Sequence, residues 1–395
     1  MPERYKYLII GGGLAADAAV RGIRELDHSG TILVVSDEDD PPYNRPPLSK
    51  GLWKGTAIDE IWRHTETTTA ELRLGTRIVA LDSGGKTATD ARGRVVGYDK
   101  LLLATGGSPR RLGNGNAPVI YFRRLADFRQ AWQAAGEGAE FAVLGGGFIG
   151  AEIAAALASN GRKVTLVFPH DGIGSRVYPR PLANFLNVYF RKHGVDVRFN
   201  ERVEAVERGA AKLIVRSNGH NGIAVDTVIA GLGIVPNVEL AQAADLAVGD
   251  GIIVDEMLRT SHPDIFAAGD VANFPCAALG RRLRFEHEDN AATMGRAAGR
   301  NMADAFEPYQ HLPFFYSDLF DLGYEAVGEI DSSLETVEDW AETFHKGVVY
   351  YLKDRRVRGV LLWNSWGLVD AARELIASER AFTPAVLRGR LRETG

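Results

Sequence analysis

The residues whose spacing dictates chemistry begin with a glycine turn. Gly11, Gly13 and Ala16 stand in a G-x-G-x-x-A arrangement, preceded by an apolar run at 7–10 and followed by a helical pattern. A second β-rich run, 32–35, closes on the acids Asp37 and Glu38. In a strand–turn–helix–strand unit, Gly11 makes the tight turn, Gly13 lets the backbone approach a pyrophosphate, and Ala16 lets helix and strand pack closely. Phosphates favour the helix N-terminus, where unpaired N–H groups and the dipole attract negative charge, and Asp37 or Glu38 can accept hydrogen bonds from a ribose. The chemistry is dinucleotide binding.

The pattern recurs one domain's length later. Gly145, Gly146, Gly147 and Gly150 supply a G-x-G-x-x-G turn after the apolar run 141–144, and a strand pattern, KVTLVF, follows. Two such turns imply two dinucleotides, one a bound flavin and the other a nicotinamide that comes and goes. The second unit runs into Phe168-Pro169-His170-Asp171, so its ribose-binding acid is displaced by one residue or missing, and Arg176 follows. An acid there selects NAD and a nearby arginine accepts the 2′-phosphate of NADP; both remain open.

Other elements must position these turns. DDPPYNRPPLSKGLW holds four prolines and reads as an extended, rigid segment rather than a helix, carrying Arg45 and Lys50. From spacing alone these two are surface cations on a loop. Residues 76–107 alternate polar and apolar between glycine turns, as antiparallel strands do. The buried strand pattern IFAAG delivers Asp270 at its carboxyl end, where ligands bind in open α/β sheets. From 313 onward aromatic residues cluster, GVVYYLKDRRVRGVLLW reads as two strands around a short basic turn, and WGLVDAARELIAS reads as an amphipathic helix.

Composition excludes several alternatives. With 395 residues, 25% charged and 45% apolar, the chain has the balance of a globular protein of two or three domains. A net charge of −5 gives no reason to expect nucleic acid or an anionic membrane surface. The opening MPERYKYLII leads straight into a strand pattern and leaves no room for a signal peptide, transit peptide or membrane span, so a cytoplasmic location is expected. The single cysteine, Cys276, cannot form an intrachain disulfide; in the loop-like NFPCAALG it is expected to be buried and inert, and no Cys/His cluster has metal spacing.

The segments PPYNRPPLSKGLW, LLLATGGSPRRL, VLGGGFIGAEIA, GLGIVPNVELA, AAGDVANF, FEHEDNAA, LGYEAVGEIDSSL and LLWNSW resemble the two-dinucleotide flavoprotein reductases of the pyridine nucleotide-disulfide oxidoreductase superfamily over nearly the whole chain. Within it the chain is most similar to apoptosis-inducing factor, with monodehydroascorbate reductase and oxygenase-coupled ferredoxin and rubredoxin reductases as near relatives. The resemblance implies two Rossmann-like, glutathione-reductase-type domains plus a C-terminal α+β domain. The FAD-binding domain would be discontinuous (1–113 and 235–312), the NAD(P)-binding domain 114–234, and the C-terminal domain 313–395.

The resemblance also assigns roles. Gly11, Gly13, Asp37, Glu38, Arg45, Lys50, Val79, Arg123 and Asp270 match residues that hold FAD, so Arg45 and Lys50 become flavin ligands. Glu152 matches the acid that pairs with Lys50 near the reactive edge of the flavin. Gly146, Gly147, Phe148, Gly233 and Glu325 match the nicotinamide side, and Glu286 and His287 the pair beside the isoalloxazine. There are departures: His170 stands where the ribose acid is expected, Tyr316 where apoptosis-inducing factor has a tryptophan, and Glu288 where that family has a second histidine.

The implied activity is that of an FAD-dependent NAD(P)H oxidoreductase: hydride passes from NADH or NADPH to FAD, and electrons go on to an acceptor. Lys50 would stabilise the reduced flavin, Glu152 would hold Lys50, and Phe148 would cover the ring. PPYNRPPLSK lacks the cysteine of the disulfide reductases, leaving an iron–sulfur protein such as a ferredoxin, a quinone or another small oxidant as acceptor. Arg281, Arg282, Arg284 and residues 353–358 are candidate docking cations for an acidic partner. The rival from another class is a redox-gated interaction protein, in which a reduced FAD–NAD charge-transfer complex controls dimerisation or partner binding. A homodimer is the family-based expectation.

Overall fold

The computed structural model describes residues 3–113, 117–218, 220–378 and 380–391; the expected domain limits at 1, 114 and 395 lie outside them. The chain divides into two compact units, one of Met1–Asn44, Ile58–Ser108 and Val235–Pro313, the other of Arg45–Ala57, Pro109–Ile234 and Phe314–Gly395.

In the first unit the strand Glu3–Ile10 becomes continuously buried as it approaches the glycine turn. Such a run suits a strand with parallel neighbours on both sides. It pairs in parallel with Ile32–Val35 and with Val95–Leu103. The carboxyl half of Val95–Leu103 also pairs in parallel with Ile265–Ala267, while its amino half pairs with Thr87–Asp90 in the expected antiparallel meander, which Ile78–Asp82 extends. Glu71–Arg73 pairs in parallel with the other edge of Ile32–Val35, and the result is a seven-stranded sheet.

Small residues dock the helix Leu14–Arg24 onto the helix Glu288–Met302. A side-chain carbon at Gly295 would lie 2.3 Å from the Ala15 carbonyl oxygen, and one at Gly299 would lie 2.1 Å from that of Ala19. This close backbone approach fixes both helix starts on one sheet.

Two expectations are corrected. The segment at Cys276 is no loop: Ala272–Cys276 is a strand, paired in parallel with Gly251–Ile253 and antiparallel with Arg281–Leu283. Pro275 is tolerated because pairing with Gly251–Ile253 ends at Asn273, so the missing N–H withdraws nothing from the ladder. Cys276 itself is buried. The proline-rich segment is not simply extended either. It forms two 3-10 turns, Pro46–Ser49 and Gly51–Lys54. Pro46 and Pro47 occupy first-turn positions, where a fixed φ and an absent N–H cost nothing.

The second unit holds a parallel five-stranded sheet built on Glu140–Leu144, Lys163–Val167, Val195–Arg198, Thr227–Ala230 and Ile120–Tyr121. It also holds a five-stranded antiparallel sheet from Phe314–Leu319 to Arg356–Trp363. The hairpin Lys346–Lys353/Arg356–Trp363 turns on Asp354 and Arg355, at φ 51° and 62°, as a two-residue turn matched to strand twist requires. The helix Val369–Ala377 buries Ala372, Leu375 and Ile376 and packs on the strands Leu322–Gly328 and Arg356–Trp363. Among the described residues no helix is long and apolar enough to cross a membrane, and no group of three or more His, Cys, Asp or Glu could hold a metal ion.

Candidate active site

In the first unit the turn is shaped as the spacing predicts. Gly11 sits at φ +122°, and a side-chain carbon there would lie 2.1 Å from the Ala104 carbonyl oxygen. Gly13 starts the helix with no side-chain cap, so its first N–H groups are available to an anion. Ala16 is fully buried. The first-turn acid Asp17 would repel a phosphate, but its carboxylate accepts from Arg21 (3.0 Å), Arg63 (2.9 Å) and Thr65 (2.8 Å).

After the second strand, Glu38 accepts a hydrogen bond from the Tyr43 hydroxyl (2.8 Å), and its N–H donates to Ser36 Oγ (3.1 Å); Asp37 is exposed beside it. Val79, half exposed, follows Thr76, whose N–H donates to the Ser36 carbonyl (2.7 Å). Gly269, at φ +79°, lies against Ala15 and Ala291, both in first helical turns, so Asp270 and two helix starts converge. His287 is the N-cap of Glu288–Met302, and Phe285 lies 5.2 Å from its ring.

Arg284 ties this region together. Its guanidinium bonds Glu286 (2.5 Å), Asp250 (2.8 Å) and the Asp270 carbonyl (3.2 Å), and only 10% of its side chain is exposed. Arg282 is likewise spent on the Val254 and Asn273 carbonyls. These two candidate docking cations therefore do structural work.

In the second unit Lys50 and Glu152 meet as expected, Nζ to Oε1 at 2.7 Å, with side chains 12% and 3% exposed. The sequence did not reveal their partners. Ser49 Oγ donates to Oε2 (2.5 Å) and Ser317 Oγ to Oε1 (2.6 Å). The Lys50 ammonium also lies over the Tyr316 ring, 5.1 Å from its centroid. A buried carboxylate is thus satisfied by one ammonium and two hydroxyls, the condition for keeping a charge out of water. Phe148 packs on Phe315 at 5.1 Å, and Arg45 Nη1 donates to the Arg123 carbonyl (2.9 Å), which brings two predicted ligands together.

The second glycine turn divides its labour visibly. Side-chain carbons at Gly145, Gly146 and Gly150 would collide with the Gly231 carbonyl, the Phe168 ring and the Gly145 carbonyl, at 2.4, 2.6 and 1.8 Å. At Gly147 such a carbon would meet nothing within 4 Å. The chain itself makes no demand for glycine there, so the open space suits an approaching pyrophosphate. Gly233, at φ +81°, accepts from the Arg110 N–H (2.9 Å). Glu325 stands opposite Tyr316 across two strands, and its Oε2 is buried without a hydrogen-bond partner among the described residues. Burial raises its carboxyl pKa, opposed by a hydrogen bond from the Gly367 N–H. Such an acceptor fits an amide NH₂ like that of nicotinamide. His170 is half-buried at the end of Lys163–Val167, and Arg176 is exposed.

Two glycine cradles with open helix starts, and a buried lysine–glutamate pair where no cysteine is available, define a two-dinucleotide redox protein. Comparison with known sequences gives the family. The pyridine nucleotide-disulphide oxidoreductase family matches residues 5–295, and the C-terminal domain of mitochondrion-associated apoptosis-inducing factor matches 298–343 and 338–378. The chain belongs to the pyridine nucleotide-disulphide oxidoreductase family.

It is 33% identical to the mitochondrial apoptosis-inducing factor 1 of Dictyostelium discoideum, over 96% of this chain and 79% of that protein. It is 37% identical to the ferredoxin reductase subunit of a 5,5'-dehydrodivanillate O-demethylase from a Sphingobium species, over 83% of this chain and 82% of that protein. Among solved structures, the covalent putidaredoxin reductase–putidaredoxin complex superposes with a TM-score of 0.91 at 29% identity, covering 98% of this chain and 95% of that one. The chain is an FAD-dependent NAD(P)H oxidoreductase without an intrachain redox disulfide.

Proposed function

We propose that this protein takes hydride from a nicotinamide dinucleotide and hands electrons singly to a ferredoxin-type iron–sulfur protein. The observation that carries this is the buried Lys50–Glu152 pair with Ser49 and Ser317, standing where disulfide reductases need cysteines. The names of the Sphingobium relative and of the putidaredoxin reductase complex favour the same acceptor. When bound, FAD supplies a two-electron acceptor that can release electrons one at a time.

The chain's residues do the rest. Gly11, Gly13, Ala16, Asp37, Glu38, Val79 and Asp270, with Arg45 and Arg123, hold FAD. Lys50 offsets the negative charge gained on reduction, and Glu152 holds Lys50 in place. Gly145, Gly146, Gly147, Gly150, Gly233 and Glu325 receive the nicotinamide dinucleotide, and Phe148 and Tyr316 flank its ring. Glu286 and His287 contact the flavin ring. The proposed domains are FAD-binding 1–113 and 235–312, NAD(P)-binding 114–234, and C-terminal 313–395. A cytoplasmic location and a homodimer complete the reading.

A second reading rests on the match of 298–378 to the apoptosis-inducing factor C-terminal domain: redox-gated partner binding, with turnover incidental. Stopped-flow reduction followed by addition of a [2Fe–2S] ferredoxin separates the two. Prompt reoxidation by the ferredoxin supports the reductase. A long-wavelength band that persists with the ferredoxin present, accompanied by a change in mass, supports the gated protein.

A further inference from the structure

We infer that Asp17 and Arg63 are positioning residues for FAD, a clasp that holds Glu38 in place through the segment 42–44 and slows release of the cofactor; this rests on reading the first glycine turn as the FAD site. Asp17 is fully buried in the first turn of Leu14–Arg24, where its charge opposes that of a pyrophosphate at the same helix start. A buried carboxylate is kept only when it is paired, so Asp17 fixes whatever pairs with it.

Its partners come from 58–69, a stretch of two 3-10 turns, Ile58–Ile61 and Thr65–Thr68, with His64 and Thr69 at left-handed φ of 51° and 61°. Asp17, Arg21 and Arg24 recur at helical spacing on one face, and all three grip this stretch. The Asp17 carboxylate accepts from Arg63 Nε (2.9 Å) and Thr65 Oγ1 (2.8 Å). Arg21 Nη2 donates to the Arg63 carbonyl (2.5 Å), and Arg24 Nε to the Thr68 carbonyl (3.0 Å). One carboxylate against the Arg21 and Arg63 guanidiniums leaves the cluster net positive, which suits a diphosphate nearby.

The stretch in turn grips 42–44. The Arg63 N–H donates to the Pro42 carbonyl (2.9 Å) and the Asn44 N–H to the Ile61 carbonyl (2.9 Å). Between them Tyr43 and Trp62 form an antiparallel bridge, with their rings edge-on at 6.2 Å. Tyr43 is 2% exposed, and its hydroxyl donates to Glu38 (2.8 Å). A continuous run of contacts therefore leads from the helix start, where the pyrophosphate binds, to the acid that takes the ribose. Contacts set in place before the ligand arrives prolong its residence, because differences in affinity are carried chiefly by release.

The test is FAD release from the holoprotein, followed by the rise of flavin fluorescence on dilution, together with the rate of flavin bleaching by NADH or NADPH per bound flavin. Arg63→Met should release FAD about 10-fold faster, and Tyr43→Phe, which removes one hydroxyl and leaves the packing, about 3-fold faster. The double variant D17N/R63M should release FAD no more than about 2-fold faster than the faster single variant, since both break one contact. Bleaching per bound flavin should stay within about 2-fold of wild type in every variant, because the clasp acts at the adenosine end. Release within about 2-fold of wild type in both R63M and Y43F, multiplying effects in the double variant, or bleaching that falls in step with retention overturns the clasp alone. A wild-type protein that retains no FAD through gel filtration overturns the reading of the first glycine turn, and the clasp with it.

Discussion

Glu152→Ala is the sharpest perturbation of the buried pair. It leaves the Lys50 ammonium, 12% exposed, without its partner at 2.7 Å, and it strips the acceptor from Ser49 and Ser317, which are 4% and 1% exposed. Removing one member of a buried pair costs about 3–5 kcal/mol, and each orphaned hydroxyl about 1–3 kcal/mol. Relief is available to two of the three groups: the lysine stem can swing toward water, and Ser49 Oγ already lies 3.4 Å from the Pro46 carbonyl. Ser317 loses its bond to Glu152 and keeps only its interaction with the Tyr324 hydroxyl. The sum is therefore expected near the low end, about 3 kcal/mol. Glu152→Gln keeps volume and one carbonyl acceptor and should cost about 1–2 kcal/mol. Lys50→Met placed on Glu152→Ala should recover about 1 kcal/mol or more, because the buried unpaired charge is gone. The assay is urea unfolding of the FAD-saturated protein, followed by tryptophan fluorescence and held at fixed flavin concentration so that ligand linkage is constant. A Glu152→Ala variant within about 0.5 kcal/mol of wild type, or Glu152→Gln as costly as Glu152→Ala, would refute the argument that charge burial governs this site.

Other outcomes follow from the same geometry. Lys50→Met should slow NAD(P)H-dependent flavin bleaching by about 100-fold with little change in nucleotide affinity, the pattern of a lost charge-stabilising group, measured by stopped flow. Gly147→Ala should leave the urea midpoint unchanged, since its methyl meets no protein atom, yet weaken nucleotide binding about 10-fold; Gly150→Ala, 1.8 Å from the Gly145 carbonyl, should cost stability outright, about 2 kcal/mol or more. Asp264 is held at about 2, below its usual 3.8, chiefly by hydrogen bonds from Lys100 and Lys86. A depressed carboxylate stabilises the fold above its unfolded pKa and loses that contribution as pH falls toward the folded value. Asp264→Asn should therefore cost about 1 kcal/mol at pH 7, after allowance for solvent screening, and nearly nothing at about pH 2 by urea titration across that window.

Both glycine turns were legible because their residues are sequential: Gly11 to Glu38 and Gly145 to Val167 each complete strand, helix and strand without help from elsewhere. The hairpin at Asp354-Arg355 and the strand before Asp270 were read on the same local grounds. Ser49 and Ser317 were not, since a serine in PPLSK or PFFYSD has no periodicity to mark it, and Ser317 reaches Glu152 from 165 residues away. Proline count misled twice. Pro46 and Pro47 start a 3-10 turn, and Pro275 sits in a strand, because both places leave the missing N–H without consequence.

The most direct measurement is anaerobic reduction of the holoprotein by NADPH and by NADH, recording the flavin spectrum, followed by one addition of oxidised [2Fe–2S] ferredoxin. The account predicts bleaching by nucleotide and return of the oxidised spectrum with two ferredoxins reduced per flavin as the electrons leave singly. A flavin that neither nucleotide bleaches, or one that bleaches and then gives nothing to the ferredoxin, would contradict it.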